Sequence, residues 1–211
     1  VAEGHDVVNF AIVAAGENAA SPHHDAGDRV IAEGHDVVNF AIVAAGENAA
    51  SPHHDAGGRV IGEGEIVLCD FGGTMAGYCS DTTRCVVTGE VSPQVAEAYA
   101  VLHEAQQAAV GSAVVGTPCE NVDAAARDVI AAAGYGEFFI HRTGHGIGME
   151  AHEDPYIVEG NHLPLAAGHA FSVEPGIYVP GRWGMRLEDI VVAADAGPEP
   201  VNHTDHSLIS V

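Results

Sequence analysis

One segment stands twice, back to back, at the head of this chain. Residues 1–30 and 31–60 align without gaps and differ only at Val1 against Ile31 and Asp28 against Gly58. Each copy holds the apolar, β-branched run VVNFAIVAA, at 7–15 and at 37–45, ending in Gly-Glu-Asn. That pattern predicts a buried strand. Solenoids need about three or more stacked units with atypical ends, whereas nothing like this unit recurs after residue 60. The junctions RVIAEGHDVV, from Arg29, and RVIGEGEIVL, from Arg59, resemble each other, as a slip between similar sequences would leave them. We therefore read a tandem duplication in which two identical strands compete for one place in a sheet. The second copy is closer along the chain to the strand that follows. Docking the first instead would lengthen the connecting loop from ~10 to ~40 residues, two doublings, at a cost of about 1.2 kcal/mol. The second copy is expected to dock. Residues 1–30 are then a surplus copy with no domain of their own, expected to pair along an edge, swap between chains or stay disordered. Residues 31–211 form one domain.

The rest of the chain alternates strands and helices. EIVLCDFGG (65–73) reads as an apolar strand and MAGYCSDTTRCVVTG (75–89) as its antiparallel partner. SPQVAEAYAVLHEAQQAAV (92–110) reads as a helix with Ser92 at the N-cap and Pro93 at the first helical position. TPCENVDAAARDVIAAAG (117–134) reads as a second helix with a Thr117–Glu120 capping box and Gly134 as its stop. HRTGHGIG (141–148) reads as a glycine loop, and AFSVEPGIYV (170–179) and RLEDIVVAA (186–194) as strands. Strands enclosing a helix pair predict an α+β domain with a curved, mostly antiparallel sheet.

Composition narrows the function. The 211 residues are 47% hydrophobic, which is enough to fill a core, and carry 7 basic against 30 acidic side chains, a net charge of −23. That balance argues against nucleic acid and against an anionic membrane surface, both of which need a positive face. No run of 18 apolar residues suggests a membrane span, and no basic region before an apolar stretch suggests a signal peptide. The four cysteines, Cys69, Cys79, Cys85 and Cys119, lack zinc-finger spacing and fit a reducing cytoplasm.

Three carboxylates stand where a core strand should be apolar. Asp70 ends IVLCD, Glu174 ends AFSVE and Glu188 opens EDIVV. A buried carboxylate is costly unless paired or metal-bound. With Asp81 and the glycine-flanked His145, the set is four carboxylates and one imidazole. Such donors suit Mn²⁺, Fe²⁺, Co²⁺ or Zn²⁺ in a two-metal site. The same residues also fit scattered surface acids in a chain that has many.

CDFGGTMAGYCSDTTR, HRTGHGIGMEAHEDPYI, FSVEPGIYVPGRWGMRLEDIVV and the upstream NFAIVAAGENAASPHH resemble the creatinase/prolidase-type metallopeptidases of the pita-bread fold, most of all Xaa-Pro dipeptidases and aminopeptidase P. The resemblance runs in order from about residue 31 to the end. It implies a dinuclear-metal exopeptidase hydrolysing the Xaa-Pro bond at the N-terminus of peptides or in dipeptides. Asp70, Asp81, His145, Glu174 and Glu188 would hold two divalent ions, of which manganese is first and cobalt, zinc or iron alternatives. Asp81 and Glu188 would bridge them. Glu174 would be general base and then acid, with His152 and His53 on the substrate side. His141 and Arg186 match further substrate-binding positions; Arg186 equally fits a counter-charge for the carboxylates.

The resemblance also implies a separate N-terminal domain and early helices that this sequence does not show. A sheet left bare by their absence predicts a homo-oligomer or self-association through that face. Two other readings remain at this point: a methionine aminopeptidase-like enzyme, and an inactive, truncated pita-bread binding protein.

Overall fold

A computed structural model describes residues 35–55 and 57–211; the surplus copy, residues 1–30, and every expectation about it lie outside the described residues. The second copy supplies the first strand, β1 (Val37–Ala45). It pairs antiparallel with β2 (Ile66–Met75), Ile42 opposite Asp70. β2 in turn pairs antiparallel with β3 (Tyr78–Val87), as expected, and β11 (Ile209–Ser210) lies parallel to β3.

Between β1 and β2 runs the loop that carries the second SPHH. An ion-pair latch closes it. Arg59 forks onto Glu65, Nη1 to Oε2 at 2.9 Å and Nη2 to Oε1, and Glu65 Oε2 also accepts from Gly62 N at 2.8 Å. Glu47, in the 3-10 turn Gly46–Ala50 after β1, stands 3.8 Å from Arg59 Nε.

Two helices follow. α1 (Pro93–Ser112) is capped as expected, Ser92 Oγ accepting from Val95 N. α2 (Cys119–Ala132) is not: the capping box is absent. Cys119 N and Glu120 N instead donate to the carbonyls of Leu163 and Asn161, and the Glu120 carboxylate turns to His162 Nδ1 at 2.5 Å. Backbone acceptors already satisfy the helix start, so the side chains are released from that task.

The second sheet, β10-β9-β6-β4-β5, is antiparallel throughout. Its strands are β4 (Gly144–Gly146), β5 (Glu153–Ile157), β6 (Ala170–Val173), β9 (Asp189–Ala194) and β10 (Gly197–Pro200). β7 (Gly176–Val179) and β8 (Trp183–Arg186) form a separate hairpin.

Two expectations change here. The glycine loop contains a strand, β4, squeezed between β5 and β6; a Cβ on Gly144 would lie 1.8 Å from the Ser172 carbonyl oxygen. The single strand expected over 170–179 is two strands in different sheets, broken at Glu174-Pro175 because proline cannot donate to a ladder.

One core cluster joins Leu102, Ala105 and Ala109 of α1, Val122, Ala126 and Ile130 of α2, and Phe171, Val173 and Val191 of the second sheet. Ile66 and Leu68 of β2 and Cys85 and Val87 of β3 belong to it too. On the ribbon's other face Val67, Cys69 and Phe71 are buried in a second, smaller cluster with Ala45. β2 is thus buried on both faces rather than bare on one. Among the described residues, no helix is long and apolar enough to cross a membrane.

Candidate metal centre

The β2–β3 ribbon changes character along one face. Its cross-strand pairs read Ile66–Val87, Leu68–Cys85, Asp70–Thr83 and Gly72–Asp81. Side chains of paired residues share a face, so the core runs directly into two carboxylates. Asp70 and Asp81 are buried, at 6% and 5% exposure.

The second sheet meets them. His145 is the middle residue of β4, Glu174 follows β6 and Glu188 precedes β9. A lone bridge between Thr83 and Glu188 joins the two sheets here. Thr83 Oγ1 donates to Glu188 Oε2 at 2.6 Å. Asp81, His145 and Glu188 each offer a ligand atom within 4.8 Å of the others. His145 Nε2 lies 3.2 Å from Glu174 Oε1 and 3.9 Å from Asp81 Oδ2. Ser172 Oγ accepts from His145 N at 2.9 Å and donates to Glu174 Oε1 at 3.0 Å. Asp70 is held by Arg186, Nη2 to Oδ2 at 2.5 Å.

The donors fit a cation. Asp70 Oδ1 and Asp81 Oδ1 are buried and have no hydrogen-bond partner among the described residues. His145 Nδ1 faces the Gly146 carbonyl at 3.1 Å, which assigns the proton there. Its Nε2 then turns a lone pair toward carboxylate oxygens, an arrangement that needs a proton or a metal between them. Electrostatics agree. Burial, reinforced by Asp70 and Glu174, pushes the Asp81 carboxyl up to about 9. Burial and the other three acids push Glu188 well above the carboxylate range. Burial likewise raises Asp70 against the pull of Arg186. Glu174 is the exception: burial would raise it, but the His145 bond, then His141 and Arg186, hold it at about 2. Three carboxyls that resist ionising beside one that is always ionised make a proton-rich nest that a divalent ion can empty.

The remaining site residues lie around this cluster. Arg186 is buried and fully engaged: Nη1 donates to Tyr178 Oη at 2.8 Å, Nε to Thr83 Oγ1 at 3.1 Å, and Nη1 reaches the Pro52 carbonyl at 3.5 Å. That last contact ties the His53 loop to the site. The loop also packs by backbone approach, since a Cβ on Gly184 of β8 would sit 1.9 Å from the Ala49 carbonyl oxygen. His53 itself is exposed. His141 has both ring nitrogens engaged, Nδ1 with the Arg142 carbonyl at 2.7 Å and Nε2 with Tyr178 Oη at 2.9 Å. Burial lowers its pKa. The ring centroid of His152 stands 4.0 Å from that of His145, and burial, then the charges of His145 and Arg142, lower its pKa.

Sequence reasoning missed the supports behind these residues. Asp123 of α2 is buried, pairs with Arg127 through two 2.9 Å bonds and accepts from Thr143 N at 2.9 Å. Arg127 donates onward to the carbonyls of Phe139 and His141. Arg84 donates to the Glu188 carbonyl at 2.5 Å and to Asp189 Oδ1 at 2.6 Å. Asn202 donates to the Asp81 carbonyl at 3.2 Å. Only Asp123 and Arg127 left a trace in the sequence, an acid and a base four residues apart on a helix.

Known proteins are similar to this chain in sequence and fold. The probable dipeptidase PepE of Mycobacterium tuberculosis is 51% identical over the whole of this chain and 48% of its own length. The Xaa-Pro dipeptidase of Lactobacillus helveticus is 51% identical over 68% of this chain and 39% of its own. The crystal structure of dipeptidase PepE from Mycobacterium ulcerans superposes with a TM-score of 0.86 at 53% identity, covering 88% of this chain and 50% of that one. The chain thus spans about half the length of the curated relatives it matches, and its fold is the pita-bread fold of these enzymes. Residues 37–195, from β1 to the end of β9, match the profile of metallopeptidase family M24, and the chain belongs to that family.

Proposed function

We propose that this chain is the catalytic part of a dinuclear-metal exopeptidase that hydrolyses the Xaa-Pro bond at the N-terminus of peptides or in dipeptides. One observation carries the reading: four carboxylates and one imidazole meet between two sheets, with the Oδ1 atoms of Asp70 and Asp81 buried and unpartnered. The names of the relatives supply the substrate class. Asp70, Asp81, His145, Glu174 and Glu188 would hold two divalent ions, with Asp81 and Glu188 shared between them, Asp70 serving one and His145 and Glu174 the other. Two divalent ions held there would supply a more acidic water and polarise the scissile carbonyl.

The chain's own residues do the rest. Glu174, ionised from about pH 2 upward, takes the proton of the attacking water and delivers it to the proline nitrogen as the C–N bond breaks. His152, whose pKa desolvation and the Arg142 charge lower, donates a hydrogen bond to the carbonyl oxygen as negative charge builds on it. His53 completes the substrate side. Arg186 balances Asp70 and Glu174 and locks the His53 loop.

Chelator-stripped protein is expected to be silent and to regain turnover of an Xaa-Pro dipeptide with Mn²⁺ or Co²⁺ at two ions per chain. A longer Xaa-Pro peptide separates aminopeptidase from dipeptidase action, and a Met-Ala peptide should stay uncut. Metal content near zero after reconstitution would sink the dinuclear site. The repeat gives a second test. Since β1 is residues 37–45, His53→Ala should cost about 10²-fold in kcat/KM, whereas His23→Ala, at the matching position of the other copy, should cost less than about twofold. Equal losses would contradict the assignment to His53.

A further inference from the structure

Asp81 and Glu188 stand on different sheets, Asp81 within β3 and Glu188 directly before β9. The backbone link between them is thin. Thr83 and Glu188 form an isolated bridge, with Glu188 N donating to the Thr83 carbonyl at 3.2 Å. A ladder of one step leaves two strands free to pivot, so it does not by itself fix the distance between two carboxylates.

Side chains complete the junction. Arg84 is buried, at 5% exposure, and every N–H of its guanidinium finds an acceptor. Nη1 donates to the Glu188 carbonyl at 2.5 Å and the Thr83 carbonyl at 2.9 Å. Nη2 donates to Asp189 Oδ1 at 2.6 Å and the Thr204 carbonyl at 3.3 Å, and Nε to the Asp205 carbonyl at 3.2 Å. Asn202 serves the other acid. Its Nδ2 donates to the Asp81 carbonyl at 3.2 Å while its Oδ1 accepts from Ile190 N at 2.7 Å, so one side chain ties β3 to β9. Both residues grip the acids by main-chain carbonyls and leave the carboxylate oxygens to the cluster.

One segment, residues 202–206, completes this clamp. It supplies Asn202 and the two carbonyls that cradle Arg84, and it is anchored in turn on α1. His206 Nε2 meets Asp189 Oδ2 at 2.8 Å, Gln106 of α1 donates to the same oxygen at 2.9 Å, and Tyr99 of α1 donates to the His206 carbonyl at 2.9 Å.

The two acids held in this way are the two that the dinuclear reading above shares between ions, and the inference rests on that reading. A ligand serving one ion can shift and disturb one shell; a shared carboxylate that shifts disturbs both. We infer that Arg84 and Asn202 are positioning residues that fix the separation of Asp81 and Glu188. Residues 202–206 thereby belong to the metal centre, and they govern capture of the second ion more than the first.

The test titrates Mn²⁺ into metal-free wild type, Asn202→Ala and Arg84→Lys by calorimetry and records the electron paramagnetic resonance of each loaded protein. Wild type should take up two ions per chain and give the signal of a coupled pair. In both variants the second ion should bind about 10- to 100-fold more weakly, the scale of losing an outer partner of a metal ligand, and the first should stay within about threefold of wild type. The coupled signal should give way to that of isolated ions. Lysine keeps a charge beside Asp189 but cannot fork onto both carbonyls, so Arg84→Lys separates geometry from charge. Thermal melts check the fold, and the half-buried Asn202 decides if Arg84→Lys does not fold. An unchanged second affinity and pair signal in Asn202→Ala overturns the clamp, and so does an equal weakening of both ions. Wild type that never shows a coupled pair overturns the dinuclear reading, and this inference with it.

Discussion

Glu174→Ala is expected to abolish Xaa-Pro turnover, lowering kcat by about 10³-fold or more, while the protein stays folded. The side chain is doubly placed. Its Oε1 accepts from Ser172 Oγ and faces His145 Nε2, and its backbone N donates to the Thr143 carbonyl at 2.7 Å. It is also the carboxylate of the four that is held down, at about 2, and so is free to accept a proton across the neutral range. Loss of general base catalysis alone is worth about 10²- to 10⁴-fold, and loss of a metal ligand adds to it. Glu174→Gln separates the two. The amide keeps the shape but cannot take a proton, so its metal content should stay closer to wild type while kcat falls as far. Thermal melts of both variants check the fold. Unchanged turnover in either one would remove Glu174 from the mechanism.

Metal binding should expel protons, and its affinity should climb with pH. In metal-free protein burial pushes Asp81 up to about 9, so it holds its proton at pH 7, and burial raises Glu188 well above, and Asp70 above, the usual carboxylate range. A divalent ion can bind only as the protons leave. For each proton released the apparent affinity should rise about tenfold per pH unit between pH 6 and 8. Titration calorimetry in buffers of different ionisation enthalpy counts the protons. A flat affinity over that range would contradict the raised carboxyls. The sign for stability is the opposite. A carboxyl raised in the native state keeps its proton where the unfolded chain has already lost it. Its contribution therefore falls from about pH 4 toward pH 9. Chelator-treated protein should melt at a lower temperature at pH 8 than at pH 5.5, and Asp81→Asn should lessen the difference.

The parts of this architecture written as local conflict were legible in the sequence. Asp70, Glu174 and Glu188 interrupt apolar runs, where a charge must have a reason. Ser92-Pro93 marks a helix start by chemistry that acts within four residues, and the structure uses it. The Thr117–Glu120 box follows the same rule and fails, because carbonyls of residues 161 and 163, distant in sequence, reach the helix first. Distance also hid the break at Glu174-Pro175. The run AFSVEPGIYV has a strand's composition on both sides, and only the meeting of two sheets decides that it divides. Thr83 and Asn202 gave no signal, since the bonds by which they reach Glu188 and the Asp81 carbonyl span more than a hundred positions. Arg84 looked like an ordinary strand residue until Asp189 was placed beside it.

The Arg59–Glu65 latch bears on how two identical strands are told apart. Residues 7–25 and 37–55 have the same sequence, so nothing inside the strand can distinguish them. The difference lies downstream. Where the second copy is followed by Gly62 and Glu65, the first is followed at the matching positions by Ala32 and His35. Arg29 thus has no carboxylate at the step where Arg59 finds one. The latch is partly exposed, worth about 1 kcal/mol or less, yet it adds to the loop-closure bias in the same direction. The address of the strand is written in its flank. Selection can therefore act on one copy's location by editing Glu65 without touching a residue of the strand itself.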